Sequence, residues 1–184
     1  MSGNEEEQQV STLTYLSPTV DISWLTEEVA VSGCFSADCA ACLAAEHGIG
    51  AVIDLREEDR DDEEALRSAG IDFLHLPTPD LEPATCDMLD AGVAFARDHI
   101  SRGGRVLIHC MHGIGRSPLL ALCLMVDRGM EPLEALKQAK DRRVEVSPSK
   151  AQFRGWADWL ERHGHSPPDY HSFGCIAYRH LAGG

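Results

Sequence analysis

The sequence predicts an α/β fold: a single compact domain with a mostly parallel central sheet flanked by helices. Short apolar runs over 51–55, 71–76 and 105–109 are typical of strands that are buried on both faces. Helical patterns alternate with these runs, as they do in units whose strands are parallel. The 184 residues are enough for one such domain with a substantial core.

Helix-capping residues and a proline predict where the helices and strands begin and end in the first half of the chain. Ser36 or Asp38 is a suitable N-cap for a helix over 40–47. The strand 71–76 should end at Pro77, because proline lacks the N–H that a strand ladder needs. In chain order we expect two short strands within 20–31, the helix 40–47, the strand 51–55, a polar helix over 59–68 and the strand 71–76.

The second half of the chain predicts one further strand, with helices before and after it. Thr85 begins a helix to about Ser101, and a Gly-Gly pair turns the chain into the strand 105–109. An apolar helix over 118–126 and a helix over 131–142 follow. The last expected helix begins at Ser147-Pro148 and carries four apolar side chains on one face: Phe153, Trp156, Trp159 and Leu160.

Three segments follow from this pattern. We expect a flexible acidic segment over 1–18, a folded domain over 19–164 and a tail over 165–184. The sequence leaves open whether this tail is extended or packed on the domain.

Charge and composition limit the partners and the compartment. Thirty acidic and 16 basic residues give a net charge of −14, which disfavours nucleic acids and anionic membranes as partners and favours basic surfaces. The acidic run 57–64 is either a docking surface for basic substrates or, as we prefer, a solvated helix start. The start of the chain is unlike a signal peptide, and seven cysteines without framework spacing indicate reduced thiols. We therefore expect a cytoplasmic protein, and we expect it to be a monomer.

The strongest functional signal lies in residues 109–117, which read His-Cys-Met-His-Gly-Ile-Gly-Arg-Ser. They join a buried strand to an apolar helix, so the N–H groups of the loop and the positive end of the helix dipole should converge on one point. Arg116 adds a planar fork that matches the oxygens of a phosphate. The same groups should lower the pKa of the Cys110 thiol, which indicates a nucleophile beneath a bound phosphate.

This motif resembles the signature of the cysteine-based protein tyrosine phosphatases, and within them the dual-specificity group: His-Cys, five residues, Arg, then Ser or Thr. The resemblance implies that 19–164 is a phosphatase catalytic domain with the fold of that group. It implies that Cys110 is the nucleophile, that Arg116 binds phosphate and that Ser117 donates a hydrogen bond to the sulfur. Ser117 could alternatively cap the following helix.

The rest of the motif has supporting roles in this interpretation. Glycines let the loop curl, with a positive φ where needed. His109 should point away from the phosphate and fix the loop from behind, because side chains alternate along a strand. Phosphate would bind to Arg116 and to the backbone N–H groups of Met111, His112, Gly113, Ile114 and Gly115.

A general acid is needed because the leaving oxygen must receive a proton. Asp80 follows a strand on a proline-rich loop, at the sheet edge where sites assemble in open α/β folds. The family carries its acid on a loop in this place, so the resemblance assigns the role to Asp80. Glu82 and Asp87 are alternatives, although the first turn of a helix already explains Asp87.

These observations predict a phosphatase that hydrolyses phosphotyrosine, and as a second class phosphoserine and phosphothreonine, in proteins through a phosphocysteine intermediate. No metal or other cofactor is expected, because Arg116 and the loop amides stabilise the phosphate charge. Two alternatives stay open. One is a phosphatase of phosphoinositides or RNA 5′-triphosphates, which the net charge disfavours, and the other is a non-catalytic phosphate-binding module.

Two further groups have both a structural and a functional interpretation. Arg142 and Arg143 either grip substrate at the pocket rim or stabilise a helix C-terminus. A zinc site that includes His47 is less favoured than core packing for three cysteines, namely Cys34, Cys39 and Cys42.

Overall fold

The computed structural model describes residues 19–181, so the predicted flexible segment 1–18 lies outside the described residues. The strands in this part of the chain are β1 (Ile22–Trp24), β2 (Val29–Ser32), β3 (Ile49–Arg56), β4 (Asp72–Thr78) and β5 (Arg105–His109). They form one sheet in the order β1-β2-β5-β3-β4, in which β1 and β2 are antiparallel and every other neighbouring pair is parallel.

Helices cover both faces of this sheet. In the described range they are α1 (Ala40–Ala45), α2 (Glu63–Ser68), α3 (Cys86–Ser101), α4 (Arg116–Asp127), α5 (Pro132–Arg142), α6 (Lys150–Arg162) and α7 (Tyr170–Ala177). Short 3-10 helices lie at Ala37–Cys39 and Arg179–Leu181. The predicted fold class is confirmed. Within 19–181, none of the helices has the length and apolar character needed to cross a membrane.

Side-chain alternation along the strands divides the core into two parts. On one face, Val106 and Ile108 of β5 pack with α3, α4, α5 and α6, and Phe173 of α7 joins this larger cluster. On the other face, Leu107 packs with α1 and α2. Because β5 pairs with both β2 and β3, it lies in the middle of the sheet, and the chain passes from its end directly into residues 110–116.

The predicted boundaries of α2 and β4, both near the candidate site, are wrong. The helix expected over 59–68 begins only at Glu63, because Asp62 caps it and the preceding acidic residues form a loop. β4 continues through Pro77 to Thr78. An edge strand tolerates this proline because one side of its ladder has no partner strand.

The chain after α6 packs on the domain rather than extending from it. The predicted last helix begins at Lys150, where Ser149 is the N-cap and forms a capping box with Gln152. It is not the last helix, because α7 follows and buries Phe173 completely. The sequence did not reveal α7 because an eight-residue helix with so few core side chains has no clear apolar periodicity.

Candidate active site

Residues 110–116, named here the signature loop, join the end of β5 to the start of α4. Their carbonyl groups point outwards, where four consecutive ones accept hydrogen bonds: Met111 from the N–H of Cys34 (3.0 Å), His112 and Gly113 from the guanidinium of Arg143 (3.1 and 2.9 Å), and Ile114 from the N–H of Ser147 (2.9 Å). The C=O and N–H of a trans peptide point in opposite directions. The N–H groups of residues 112–115 therefore face the centre of the loop.

The two glycines of the loop are needed for different reasons. Gly113 has a φ of +67°, and a Cβ there would lie 2.6 Å from the carbonyl oxygen of Ser32. Gly115 has an ordinary φ of −122°, but a Cβ there would overlap with the side-chain amide of Gln152. Only Gly113 therefore supplies the expected left-handed conformation, and Gly115 allows α6 to approach.

Cys110 lies at the start of the signature loop and is 3% exposed. Its Sγ is 3.3 Å from the hydroxyl of Ser117 and accepts a hydrogen bond from the N–H of Gly113 at 3.3 Å. Burial raises the pKa of this thiol, but the Ser117 hydroxyl and the N–H groups of Ser117, Gly113 and His112 outweigh that effect. The pKa of Cys110 is therefore below its ordinary value, which favours the thiolate.

Arg116 is held by a partner that the sequence analysis did not identify. Its Nη1 and Nη2 each donate a 2.7 Å hydrogen bond to Glu58, and Nη1 also donates to the carbonyl of Thr78 at 2.9 Å. The Nε of Arg116 is buried and has no hydrogen-bond partner among the described residues. The side edge of the guanidinium is formed by this Nε and one N–H of Nη2, and Asp80 contacts Nη2 at 3.3 Å. Two oxygens of an anion could bind this edge if they displaced Asp80.

Glu58 carries no sequence signal that separates it from its acidic neighbours, and it lies 58 positions before Arg116. The hydrogen bonds from Arg116 lower the pKa of Glu58 to about 2, so its carboxylate stays charged at neutral pH. The acidic run that we interpreted as a solvated helix start therefore contributes to the site.

Residues 79–83, named here the Asp80 loop, follow β4. Oδ1 of Asp80 lies 3.3 Å from Nη2 of Arg116, and the Asp80 side chain is 65% exposed. The structure thus brings this carboxyl group to the mouth of the signature loop. Of the two alternatives, Asp87 instead pairs with Arg162 on α6 at 2.9 Å, and Glu82 has an exposed side chain.

His109 lies on the face of β5 opposite to Cys110, as alternation along the strand predicts. Its Nε2 is 2.7 Å from Oδ2 of Asp61 and 3.7 Å from Oδ1 of Asp54. Arg56 binds both carboxylates, Asp54 at 2.9 Å and Asp61 at 2.6 Å. Asp54, Asp61 and His109 could hold a metal by their spacing, but Arg56 already occupies an oxygen of each carboxylate. This buried cluster ties the loop after β3 to the end of β5.

Arg143 is the C-cap residue of α5, and its side chain lies behind the signature loop. It is 5% exposed, and besides the carbonyls of His112 and Gly113 it binds the carboxylate of Asp21 at 2.8 Å. It therefore supports the loop from outside and does not grip substrate at the rim. Arg142 is exposed on the surface of α5.

The three clustered cysteines differ in burial, so the prediction that all three belong to the core is wrong. Cys39 is buried, Cys42 is half-buried and Cys34 is exposed. The Sγ of Cys42 lies within 4.8 Å of ligand atoms of Glu46 and His47. That donor set suits zinc, but it lies on the surface of α1, outside the signature loop.

Cys110 lies among inward-facing amides and beside an arginine whose Nε has no partner among the described residues. This arrangement defines an α/β protein with a candidate anion site built around a cysteine. A family model of the dual specificity phosphatase catalytic domain matches residues 33–161. The chain therefore belongs to the dual-specificity phosphatase family, as the motif predicts.

Two curated relatives have phosphatase names. One is a protein of Acanthamoeba polyphaga mimivirus named as a tyrosine-protein phosphatase (R622), 33% identical over 95 residues, which are 47% of this chain and 45% of the relative. The other is dual specificity protein phosphatase 26 of Bos taurus, 39% identical over 88 residues, which are 44% and 39% of the two chains. The chain thus spans less than half the length of these relatives.

Solved structures show the same fold. Tk-PTP in its active form has a TM-score of 0.70 and 25% identity, with 80% of this chain and 99% of that chain covered. PTPMT1 in complex with PI(5)P has a TM-score of 0.72 and 20% identity, with 77% and 95% covered. At this identity the second match supports the fold alone.

Proposed function

We propose that this protein is a phosphatase that hydrolyses phosphotyrosine, and as a second class phosphoserine and phosphothreonine, in protein substrates. One observation carries the proposal: the buried Nε of Arg116 has no partner within residues 19–181, and it lies beside a cysteine whose pKa is lowered. A buried N–H without a partner costs free energy, and a phosphate oxygen bound there would remove that cost.

In the first step, the Cys110 thiolate attacks phosphorus and the bond from phosphorus to the leaving oxygen breaks. The side edge of Arg116 and the inward N–H groups of residues 112–115 stabilise the negative charge on the other phosphate oxygens. Glu58 holds the guanidinium end-on, so Arg116 does not have to reorganise when substrate binds.

Asp80 supplies the proton that the leaving oxygen needs. A phosphate dianion bound at Nη2 of Arg116 would replace the contact of Asp80 with that nitrogen and place negative charge beside its carboxyl group. In the second step, the Asp80 carboxylate accepts a proton from the water that hydrolyses phosphocysteine. Ser117 stabilises the departing Cys110 thiolate through the 3.3 Å contact.

Protein substrates are favoured over polyanions by the charges around the loop. The two arginines that touch the signature loop already have carboxylate partners: Arg116 pairs with Glu58, and Arg143 pairs with Asp21. Neither guanidinium can therefore neutralise a further phosphate group of a polyanionic substrate without losing its carboxylate partner. With a net charge of −14, a phosphoinositide or an RNA triphosphate would bind against an unfavourable field.

The decisive experiment measures phosphate release from a phosphotyrosine peptide, a phosphothreonine peptide, a phosphoinositide and a triphosphorylated RNA. We expect the phosphotyrosine peptide to react fastest. Faster release from the lipid or the RNA would overturn the protein-substrate assignment.

The covalent step is tested with Cys110→Ser. This variant should lose turnover but still bind vanadate, because the amides and Arg116 remain. Arg116→Lys should lose nearly as much activity, since a point charge cannot reproduce the fork. Substantial turnover by Cys110→Ser would rule out the phosphocysteine route.

The acid is tested with Asp80→Asn, which should lower kcat by about two to four orders of magnitude for alkyl phosphates and less for activated aryl phosphates. Glu82→Gln is the matched control from the same loop. If Glu82→Gln has the larger effect, the acid is Glu82.

A further inference from the structure

Residues 143–149, named here the support loop, connect α5 to α6 and contact both loops of the candidate site. The N–H of Ser147 donates to the carbonyl of Ile114 in the signature loop at 2.9 Å. The hydroxyl of Ser149 donates to the carbonyl of Leu81 in the Asp80 loop at 2.6 Å. The position of the proposed acid relative to the nucleophile therefore depends on the shape of the support loop.

The support loop takes its shape from contacts with other parts of the chain. No residue from 143 to 149 belongs to a helix or a strand. The backbone polar groups of such a segment need partners elsewhere in the protein. For the carbonyls of Val146 and Pro148, those partners are side chains on the side of the loop away from the site, namely Lys140 and Tyr178.

Lys140 contacts the support loop from α5 and is itself held by the C-terminal 3-10 helix. Its Nζ donates to the carbonyl of Val146 at 2.7 Å and lies 2.7 Å from Nδ1 of His180. Lys140 is 1% exposed, and lysines are almost never buried so deeply without partners. Burial, followed by the charge of Arg179, lowers the pKa of Lys140 to about 8, so the ammonium group is still largely charged at pH 7. An ammonium group only donates, so Nδ1 of His180 is the acceptor.

The contact of Lys140 reaches the signature loop through a single peptide group. The carbonyl of Val146 and the N–H of Ser147 belong to the same planar peptide, and they point in opposite directions. Lys140 holds the carbonyl end, and the N–H end donates to Ile114. A rotation of this peptide that breaks one hydrogen bond also misaligns the other.

A second peptide group connects Tyr178 to the Asp80 loop in the same way. The hydroxyl of Tyr178 donates to the carbonyl of Pro148 at 2.7 Å, and the N–H of Ser149 in the same peptide donates to Oε1 of Gln152 at 2.8 Å. The amide nitrogen of Gln152 then donates to the carbonyl of Glu82 at 3.3 Å. Tyr178 is the C-cap residue of α7, which is anchored in the core by the fully buried Phe173 and Ala177.

We propose that Tyr178 and His180 are positioning residues: Tyr178 fixes the Asp80 loop and His180 fixes the signature loop, each through one peptide group of the support loop. The inference rests on the proposed function, because these two loops carry the proposed acid and the proposed nucleophile. It assigns to the segment 178–180 a part in the reaction beyond the packing of α7.

Tyr178→Phe tests the connection to the acid, because it keeps the ring and removes the donor to Pro148. We expect kcat for an alkyl phosphate to fall about 3- to 10-fold, the scale of one lost hydrogen bond. The fall should be smaller for an activated aryl phosphate, whose leaving oxygen needs less protonation. KM and vanadate affinity should change less than twofold, because Ser147 still holds the signature loop. An unchanged kcat, or an equal fall for both phosphates, would overturn the role of Tyr178.

His180→Ala tests the connection to the signature loop, because it removes an acceptor of Lys140. Vanadate should bind about 3- to 10-fold more weakly, again the scale of one hydrogen bond. His180→Asn places a side-chain oxygen near the position of Nδ1 and should restore most of the affinity. His171→Ala, at an exposed histidine on α7, is the control and should bind vanadate like the wild type. A loss that His180→Asn does not restore, or an equal loss in His171→Ala, would contradict this role.

Hydrogen exchange at the Ser147 amide, followed by NMR, tests the positioning role without turnover. This amide should exchange faster in His180→Ala than in the wild type, while the amides of Val106–Ile108 in β5 stay protected. If the wild-type protein hydrolysed none of the phosphates, the proposed function would fail, and faster exchange at Ser147 would still support the hold on the signature loop. Unchanged exchange at Ser147 would overturn that hold.

Discussion

At the scale of single residues, the environment of Cys110 predicts its reactivity. The hydrogen bonds from Ser117 and the loop amides keep the pKa of this thiol below its ordinary value, so the thiolate persists at lower pH than in a free cysteine. We expect iodoacetamide to label Cys110 faster at pH 6 than Cys42, whose pKa is raised by burial and by Glu46. Mass spectrometry of the labelled protein measures both rates. Vanadate should protect Cys110 and leave the labelling of Cys42 unchanged.

Glu58 gives a second prediction, because it holds Arg116 without touching the reacting atoms in our mechanism. Glu58→Gln removes the charge that pairs with the guanidinium and should lower kcat/KM by about 10- to 100-fold, the scale of one charge-assisted hydrogen bond. The neighbouring and exposed Glu57→Gln is the control and should change kcat/KM less than twofold. Equal effects of the two substitutions would mean that Glu58 acts only through the overall electrostatic field of the protein and not through its hydrogen bonds with Arg116.

The motif pointed to the candidate residues at the centre of the site, but not to the residues that position them. Cys110, Arg116 and Ser117 are close in sequence, so their types and spacing reveal their arrangement. Glu58 and Arg143 are separated from them by long stretches, and only the sheet order and the end of α5 bring them to the loop. Such contacts have no local sequence signal.

At the scale of elements, the end of α5 determines the shape of the signature loop. Arg143→Met should remove the hydrogen bonds to the carbonyls of His112 and Gly113, so their peptide groups can rotate and the N–H groups lose their direction. We expect a fall of about 10- to 100-fold in kcat/KM and weaker vanadate binding. Arg142→Met, one residue earlier but exposed, is the matched control. Unchanged vanadate affinity in Arg143→Met would contradict this role.

The buried ion cluster between β3 and β5 gives an element-scale prediction about stability. Asp61→Asn leaves Arg56 and His109 with one carboxylate fewer at a site where the Asp61 side chain is 4% exposed. The free energy of unfolding should fall by about 1 to 3 kcal/mol, the scale for a buried group that loses a hydrogen-bond partner, because Arg56 still pairs with Asp54. Asp59→Asn also removes an ion pair with Arg56, but its side chain is 61% exposed, so we expect less than about 1 kcal/mol. Urea unfolding of the two variants measures the difference.

Element boundaries were predictable where the signal was local. The strands 51–55 and 105–109 were recognised by their apolar runs, and the helix from Thr85 by its cap. The start of α2 was not predictable. Asp59 and Asp61 are acidic residues of the kind found in the first turn of a helix, but in the structure they bind Arg56. A tertiary contact here outweighs a local preference.

At the scale of the whole molecule, α7 completes the larger core. Phe173 is fully buried, with Phe153 and Trp156 of α6 at ring distances of 4.7 and 6.1 Å. Phe173→Ala should lower the free energy of unfolding by about 3 to 5 kcal/mol, because it leaves a cavity. Leu181→Ala, 70% exposed in the same C-terminal segment, should change it by less than about 0.5 kcal/mol. Similar losses in both variants would contradict the packing of α7.

The central position of β5 determines the order in which parts of the site should open to solvent. The amides of Val106–Ile108 lie between two neighbouring strands and beneath two layers of helices, so their hydrogens should exchange with deuterium only when the whole domain unfolds. β4 is at the edge of the sheet, so its amides and the Asp80 loop that follows should exchange earlier. Partial opening would therefore release Asp80, the proposed proton donor, while the signature loop stays anchored. We expect such a form to bind vanadate but to turn over slowly.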